Sequence, residues 1–235
     1  MDKIIIIDLG SQYAHLITRR IRDLGVYAEI LPYDVPLEKL KAINPKGIIL
    51  SGGPNSVYDI GSPQLQMDFY KYVSEEKIPV LGICYGHHLI AHQLKGKIES
   101  HDFKEYGQSD LNVSNNTGLL EGFNNIETVW MSHGDQIKEL PEGFSVLAST
   151  STCPIASFAN YQENLFGVQF HPEVRHTPKG NVVLENFVDK YAKAKKEWKL
   201  ENWTGQAIEN IRETVGPEKR VILGLSGGID SSVVA

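Results

Sequence analysis

The chain has 235 residues, and at the ~150 residues of an ordinary domain it holds one full domain and the beginning of a second. Its 41% hydrophobic and 22% charged residues, with 21 Gly and 11 Pro, exclude the disordered, collagen-like and disulfide-dense classes. The 23 basic and 29 acidic residues give a formal net charge of −6, which excludes the basic field that nucleic acid or an anionic membrane would require.

The first ten residues, MDKIIIIDLG, carry an apolar run too short for a secretory signal, and no stretch approaches the ~18 apolar residues of a membrane span. Only two cysteines occur, Cys84 and Cys153, so a cytoplasmic setting without a disulfide framework is expected. Residues 3–8 (KIIIID) predict a strand, and Leu16, Ile17, Ile21 and Leu24 fall at helical spacing after it. Strands at 26–31, 46–51 and 79–83 alternate with helices at 36–43, 63–75 and from Cys84 through Leu94. Runs that are apolar throughout suit parallel strands covered on both faces. From 97 to 170 short β-like segments follow at 127–132, 144–150, 154–159 and 165–170, separated by turn signals. Residues 180–195 predict a closing helix, and KAKKEWKLENW (193–203) a charged connector with two docking tryptophans. The last part predicts a helix at 204–215, a buried strand at 221–225 and a glycine-rich turn into a helix. The fold expected is α/β: a doubly wound, mostly parallel sheet with flanking helices and an antiparallel extension.

Gly82-Ile83-Cys84-Tyr85-Gly86 has the G-x-nucleophile-x-G spacing of a nucleophile elbow between a strand and a helix. The glycines permit a sharp turn that thrusts out the thiol, and the helix N-terminus and the Tyr85 amide face a developing oxyanion. A buried, unreactive cysteine is the plainer alternative. A thiol nucleophile needs a base, and the base an orienting partner. His171-Pro172-Glu173 offers both at a strand end, because residues two apart in extended chain point to one side. Taken alone, that tripeptide also suits a surface turn. Gly53, in Ser51-Gly52-Gly53-Pro54, supplies a second oxyanion donor. His133 reads as a structural or interdomain group, while His15, His87, His92, His101 and His176 read as surface or satisfied core residues. No C-x-x-C or H-E-x-x-H spacing occurs, so no metal site is expected, and Cys153 reads as inert. Ser226-Gly227-Gly228-Ile229-Asp230-Ser231-Ser232 lacks the Lys-Ser/Thr pair of a Walker loop, but its amides and hydroxyls suit a pyrophosphate.

GGP at 52–54, GICYG at 82–86, FHPE at 170–173 and LSGGIDSS at 225–232 together resemble the glutamine-hydrolysing GMP synthetases. On that resemblance residues 1–190 form a class I glutamine amidotransferase domain, 191–203 a linker, and 204–235 the truncated start of an ATP pyrophosphatase domain. Asparagine synthetases share the pyrophosphate loop but use an N-terminal cysteine, and here Asp2 follows Met1. The resemblance implies that Cys84 attacks the side-chain amide of glutamine, that His171, oriented by Glu173, carries the protons, and that Gly53 and Tyr85 form the oxyanion hole. It implies ammonia delivery to the chain's own synthetase domain for ATP- and Mg2+-dependent amination of XMP to GMP, with residues 226–232 on the ATP phosphates. It implies no cofactor for the glutaminase half, and it admits a homodimer. The sequence departs from the family at His88, where a glutamine is expected, which marks His88 as a substrate-pocket candidate. A cysteine hydrolase of γ-glutamyl compounds and a catalytically degenerate regulatory module are the competing readings.

Overall fold

A computed structural model describes residues 1–217 and 219–234, with the backbone alone for 101–103, 201–203, 206 and 234. The side chains of His101 and Trp203 therefore lie outside the described residues. Two compact units divide the chain, Met1–Glu197 and Trp198–Ala235.

In the first unit the strands β1 (Lys3–Asp8), β2 (Tyr27–Pro32), β3 (Gly47–Leu50), β4 (Val80–Ile83) and β9 (Leu165–Val168) run parallel in the order β2-β1-β3-β4-β9. The antiparallel strands β8 (Ser157–Asn160), β7 (Ser145–Ser149), β5 (Lys97–Val113) and β6 (Ile126–Glu139) continue the same nine-stranded sheet. The alternation of β1 explains the double winding, since successive side chains leave opposite faces. Ile4 and Ile6 pack with Ile17 and Ile21 of α1 (Ala14–Asp23) and with Val183 and Leu184 of α5 (Gly180–Asn186). Ile5 and Ile7 pack on the other side with Leu40 of α2 (Leu37–Ile43), Phe69 of α3 (Phe69–Glu75) and Leu89 of α4 (Tyr85–Gln93). All four isoleucines are at most 1% exposed. The sheet is the expected mostly parallel one with an antiparallel extension, but β9, from the segment at 165–170 read with that extension, runs parallel to β4 because it returns antiparallel to β8.

Three predicted elements differ. The helix expected at 63–75 begins only at Phe69, because Gln64 and Gln66 spend their side-chain amides on the Val57 and Val35 carbonyls and hold the preceding segment in an irregular path. The region after residue 97 holds a long ribbon, since β5 spans 17 residues and β6 spans 14. The closing helix ends in a π-helical stretch, Phe187–Ala192.

In the second unit α6 covers Leu200–Val215 and α7 covers Ile229–Val234. The buried strand expected at 221–225 is not formed: Val221, Ile222, Leu223 and Leu225 are exposed and unpaired. A strand with two apolar faces needs neighbours on both, and this unit offers no strand to pair with among its described residues. Among the described residues no helix is long and apolar enough to cross a membrane.

Candidate active site

Strands β3, β4 and β9 are neighbours in the sheet, so the residues that follow their carboxyl ends emerge side by side. After β4 the chain turns at Cys84, which takes φ 52° and ψ −104°. A non-glycine residue pays strain at positive φ, and such strain concentrates where a side chain must be aimed. The two flanking glycines make the turn possible. A Cβ on Gly82 would lie 2.4 Å from the Gly86 carbonyl oxygen, and one on Gly86 2.5 Å from that of Leu50. The turn is pinned by Cys84 N–H donating to the Val168 carbonyl (2.9 Å) and Gly86 N–H to that of Ser51 (3.1 Å).

His171 and Glu173 follow β9. The ring Nδ1 lies 2.7 Å from Glu173 Oε1, and Glu173 is fully buried. The His171 backbone is held at both ends, its N–H donating to the Trp130 carbonyl (3.0 Å) and its carbonyl accepting from Thr177 Oγ1 (2.7 Å). Tyr13 packs edge-on against the ring at 5.6 Å between centroids. The position where a Gly52 Cβ would stand lies 3.4 Å from His171 Cε1 and 3.6 Å from Cys84 Cβ, so thiol and imidazole share one corner. Burial disfavours charge on His171, but hydrogen bonding to Cys84 and to Glu173, with their attraction for a proton, holds its pKa up to about 11.

Both groups open into a cavity of about 630 Å³. Residues after β1, β3, β4 and β9 line it, among them Ser11, Gly53, Cys84 and His171, and the β5–β6 ribbon forms the facing wall. Gly53 and Tyr85 line it too. Tyr85 is the first residue of α4, so its N–H has no acceptor within the helix. A Cβ on Gly53 would lie 2.5 Å from the Leu9 carbonyl oxygen, so this close approach of two backbones admits no side chain. The sequence-derived set Cys84, His171, Glu173, Gly53 and Tyr85 is therefore brought together.

His88 also faces this cavity, with its Nε2 hydrogen-bonded to Gln169 Oε1. Burial first, then the nearby His133 ring, push its pKa down to about 3 against the pull of that bond. It is a neutral ring with one nitrogen engaged. His87 is wholly buried and stacks on Phe158 at 4.7 Å with neither ring nitrogen hydrogen-bonded, which departs from a satisfied core histidine.

The structure adds residues that no local pattern signals. Arg20 Nε donates to the Glu173 carbonyl (3.0 Å), and Ser132 presents its carbonyl 3.5 Å from Cys84 Sγ. His133 is held from both sides, by Glu105 Oε2 at 3.1 Å on the adjacent strand and by the Asp135 backbone carbonyl at 2.8 Å on its own. Cys153 is buried, and burial followed by repulsion from Glu105 pushes its thiol up to about 12.

In the second unit the hydroxyls of Ser226 and Ser231 lie 3.0 Å apart, and those of Ser231 and Ser232 donate to the Gly228 carbonyl. Gly227 takes φ 79°. The loop 226–232 is exposed apart from partly covered Ser231, and the α7 helix that follows Gly228 has only six residues.

The model of the class-I glutamine amidotransferases matches residues 5–191. A glutamine-hydrolysing GMP synthase of Lactobacillus gasseri is 49% identical over 235 residues, 100% of this chain and 44% of that protein. The chain thus spans less than half the length of that relative. Among solved structures, a Thermoplasma acidophilum protein assigned as one subunit of a GMP synthase is similar with a TM-score of 0.70, at 28% identity over 89% of this chain and 98% of that one. A glutamine amidotransferase of Thermotoga maritima has the same fold, with a TM-score of 0.61 at 20% identity over 91% of this chain and 94% of that one. With its parallel sheet, its strained elbow cysteine and that match over most of its length, the chain belongs to the class-I glutamine amidotransferase family.

Proposed function

We propose that this chain is the glutaminase part of a GMP synthase, and that it hydrolyses glutamine to glutamate and ammonia. The observation that carries the reading is the convergence of Cys84 and the His171–Glu173 pair in one corner of the cavity. Cys84 Sγ attacks the side-chain amide carbon, and His171, whose raised pKa keeps its ring protonated, holds the proton taken from the thiol. The oxyanion that forms is held by the N–H groups of Gly53 and Tyr85. His171 gives the proton to the departing nitrogen, and ammonia leaves a thioester on Cys84. His171 then takes a proton from water, the hydroxide adds to the thioester carbon, and collapse releases glutamate and restores the thiol. Glu173 accepts the hydrogen bond from Nδ1 and fixes the ring orientation throughout. Every proton and bond is handled by groups of the chain itself, so this half reaction requires no cofactor.

Ammonia then serves the remaining part of a longer protein, as expected for a chain covering 44% of its Lactobacillus gasseri relative. There it aminates XMP to GMP with ATP and Mg2+. The residue types at 226–232 and the left-handed Gly227 suit a phosphate, whose oxygens would have to take the Ser231 and Ser232 hydroxyls from the Gly228 carbonyl. Two free cysteines suit a reducing cytoplasm. The pocket contact expected of the family's glutamine falls to His88, whose neutral ring donates Nε2–H to Gln169 Oε1 and keeps Nδ1 as an acceptor. The test is ammonia release from glutamine by this chain and by Cys84→Ala; equal rates in the two would remove Cys84 from the mechanism.

A further inference from the structure

A second cluster of ligand-type side chains lies beside the cavity, which one of its members, His133, also lines. Glu105 comes from β5, His133 from β6, and Cys153 from the loop between β7 and β8. One ligand atom from each lies within 4.8 Å of the others. Cys153 is 0% exposed and His133 8%, and the Glu105 side chain 10%. The glutamine chemistry uses none of the three.

The surrounding hydrogen bonds aim these groups at one another. His133 Nδ1 lies 2.8 Å from the Asp135 carbonyl, which only accepts, so Nδ1 carries hydrogen and Nε2 is left facing Glu105. A histidine ligand whose far nitrogen donates to a backbone carbonyl is the usual outer arrangement of a metal site. Thr150 Oγ1 donates to Glu105 Oε2 at 3.2 Å and accepts from the Cys153 N–H at 3.0 Å, so one hydroxyl ties two of the ligands together. Imidazole, thiolate and carboxylate form a ligand set that suits zinc and disfavours magnesium or calcium, which take oxygen.

We propose that Glu105, His133 and Cys153 bind a divalent cation of the zinc class, with its fourth position left to water. Binding displaces the Cys153 thiol proton and the proton shared by His133 Nε2 and Glu105, and both leave to solvent. The site stands whether or not the chain hydrolyses glutamine.

Cobalt(II) titration of the whole 235-residue chain tests this. In Cys84→Ser, where Cys153 is the one remaining thiol, a thiolate-to-cobalt charge-transfer band should saturate at one equivalent and disappear on adding zinc. It should be absent from the Cys84→Ser/Cys153→Ser double variant. Thr150→Val should keep the band and weaken cobalt binding about 10-fold, and Glu105→Gln should weaken it by at least about 10-fold. Those two variants retain both cysteines or their steric equivalents and serve if the double variant does not fold. No band in Cys84→Ser, or a band that survives loss of Cys153, overturns the proposal.

Discussion

At the residue scale two side chains are held in unusual states. Cys84 sits at φ 52°, and its replacement by serine preserves the turn while removing the thiol. Cys84→Ser should lower glutamine hydrolysis by about a thousandfold or more, with the thermal midpoint little changed. Glu173→Gln should lower it by about 100-fold or more, because the amide cannot balance the imidazolium. His171 carries a pKa raised from 6.5 to about 11 by Cys84 and Glu173 against its burial. A proton held more tightly in the folded than in the unfolded chain adds stability that is complete below 6.5 and fades as pH rises through the folded value. The stability difference between wild type and His171→Asn in urea should therefore shrink between about pH 7 and about pH 10.5, and a difference that grows over that range would contradict the assignment. The sequence shows this much because His171 and Glu173 are two positions apart and Cys84 stands between spaced glycines. The pairs Arg20–Glu173 and Glu105–His133 join residues 153 and 28 positions apart and leave no local pattern to read.

Among the elements, the β4–α4 turn matters most. Gly86 has no room for a methyl group, since its Cβ would stand 2.5 Å from the Leu50 carbonyl oxygen and 2.7 Å from Leu50 Cβ. Gly86→Ala should cost about 3 kcal/mol by overpacking and displace Cys84 with it, so both urea stability and hydrolysis should fall together. Loss of either one alone would separate the turn from the site. The parallel strands are readable from sequence because both their faces are buried, and each apolar run then coincides with one strand. The β5–β6 ribbon is not, for the opposite reason: from Lys104 to Asp110 exposed and half-buried positions alternate in β5, with Ile98 and Leu111 its buried members among the residues whose side chains are described. Pairing with β6 over twelve register positions, rather than apolar content, holds it in the sheet, with breaks in register between Lys97 and Ile98 and between Ser100 and Glu105.

For the whole molecule, the two apolar clusters contain no residue beyond Ala194 among the described residues. Deleting residues 198–235 should accordingly leave a cooperative unfolding transition within a few degrees of the original midpoint. Loss of cooperativity would mean that the first unit depends on the second. The glycine-rich turn into a helix at 226–232 is legible from its residues, whereas the apolar 221–225 run misleads, because a strand is a property of neighbours as much as of sequence.

The central claim is that Cys84, cornered with His171, attacks an amide lodged in this cavity. Reaction of the chain with a diazoketone analogue of glutamine, followed by peptide mass spectrometry, tests it most directly. One adduct on Cys84, slowed by added glutamine and by His171→Asn, is the predicted result; modification of Cys153 with Cys84 left free would contradict it.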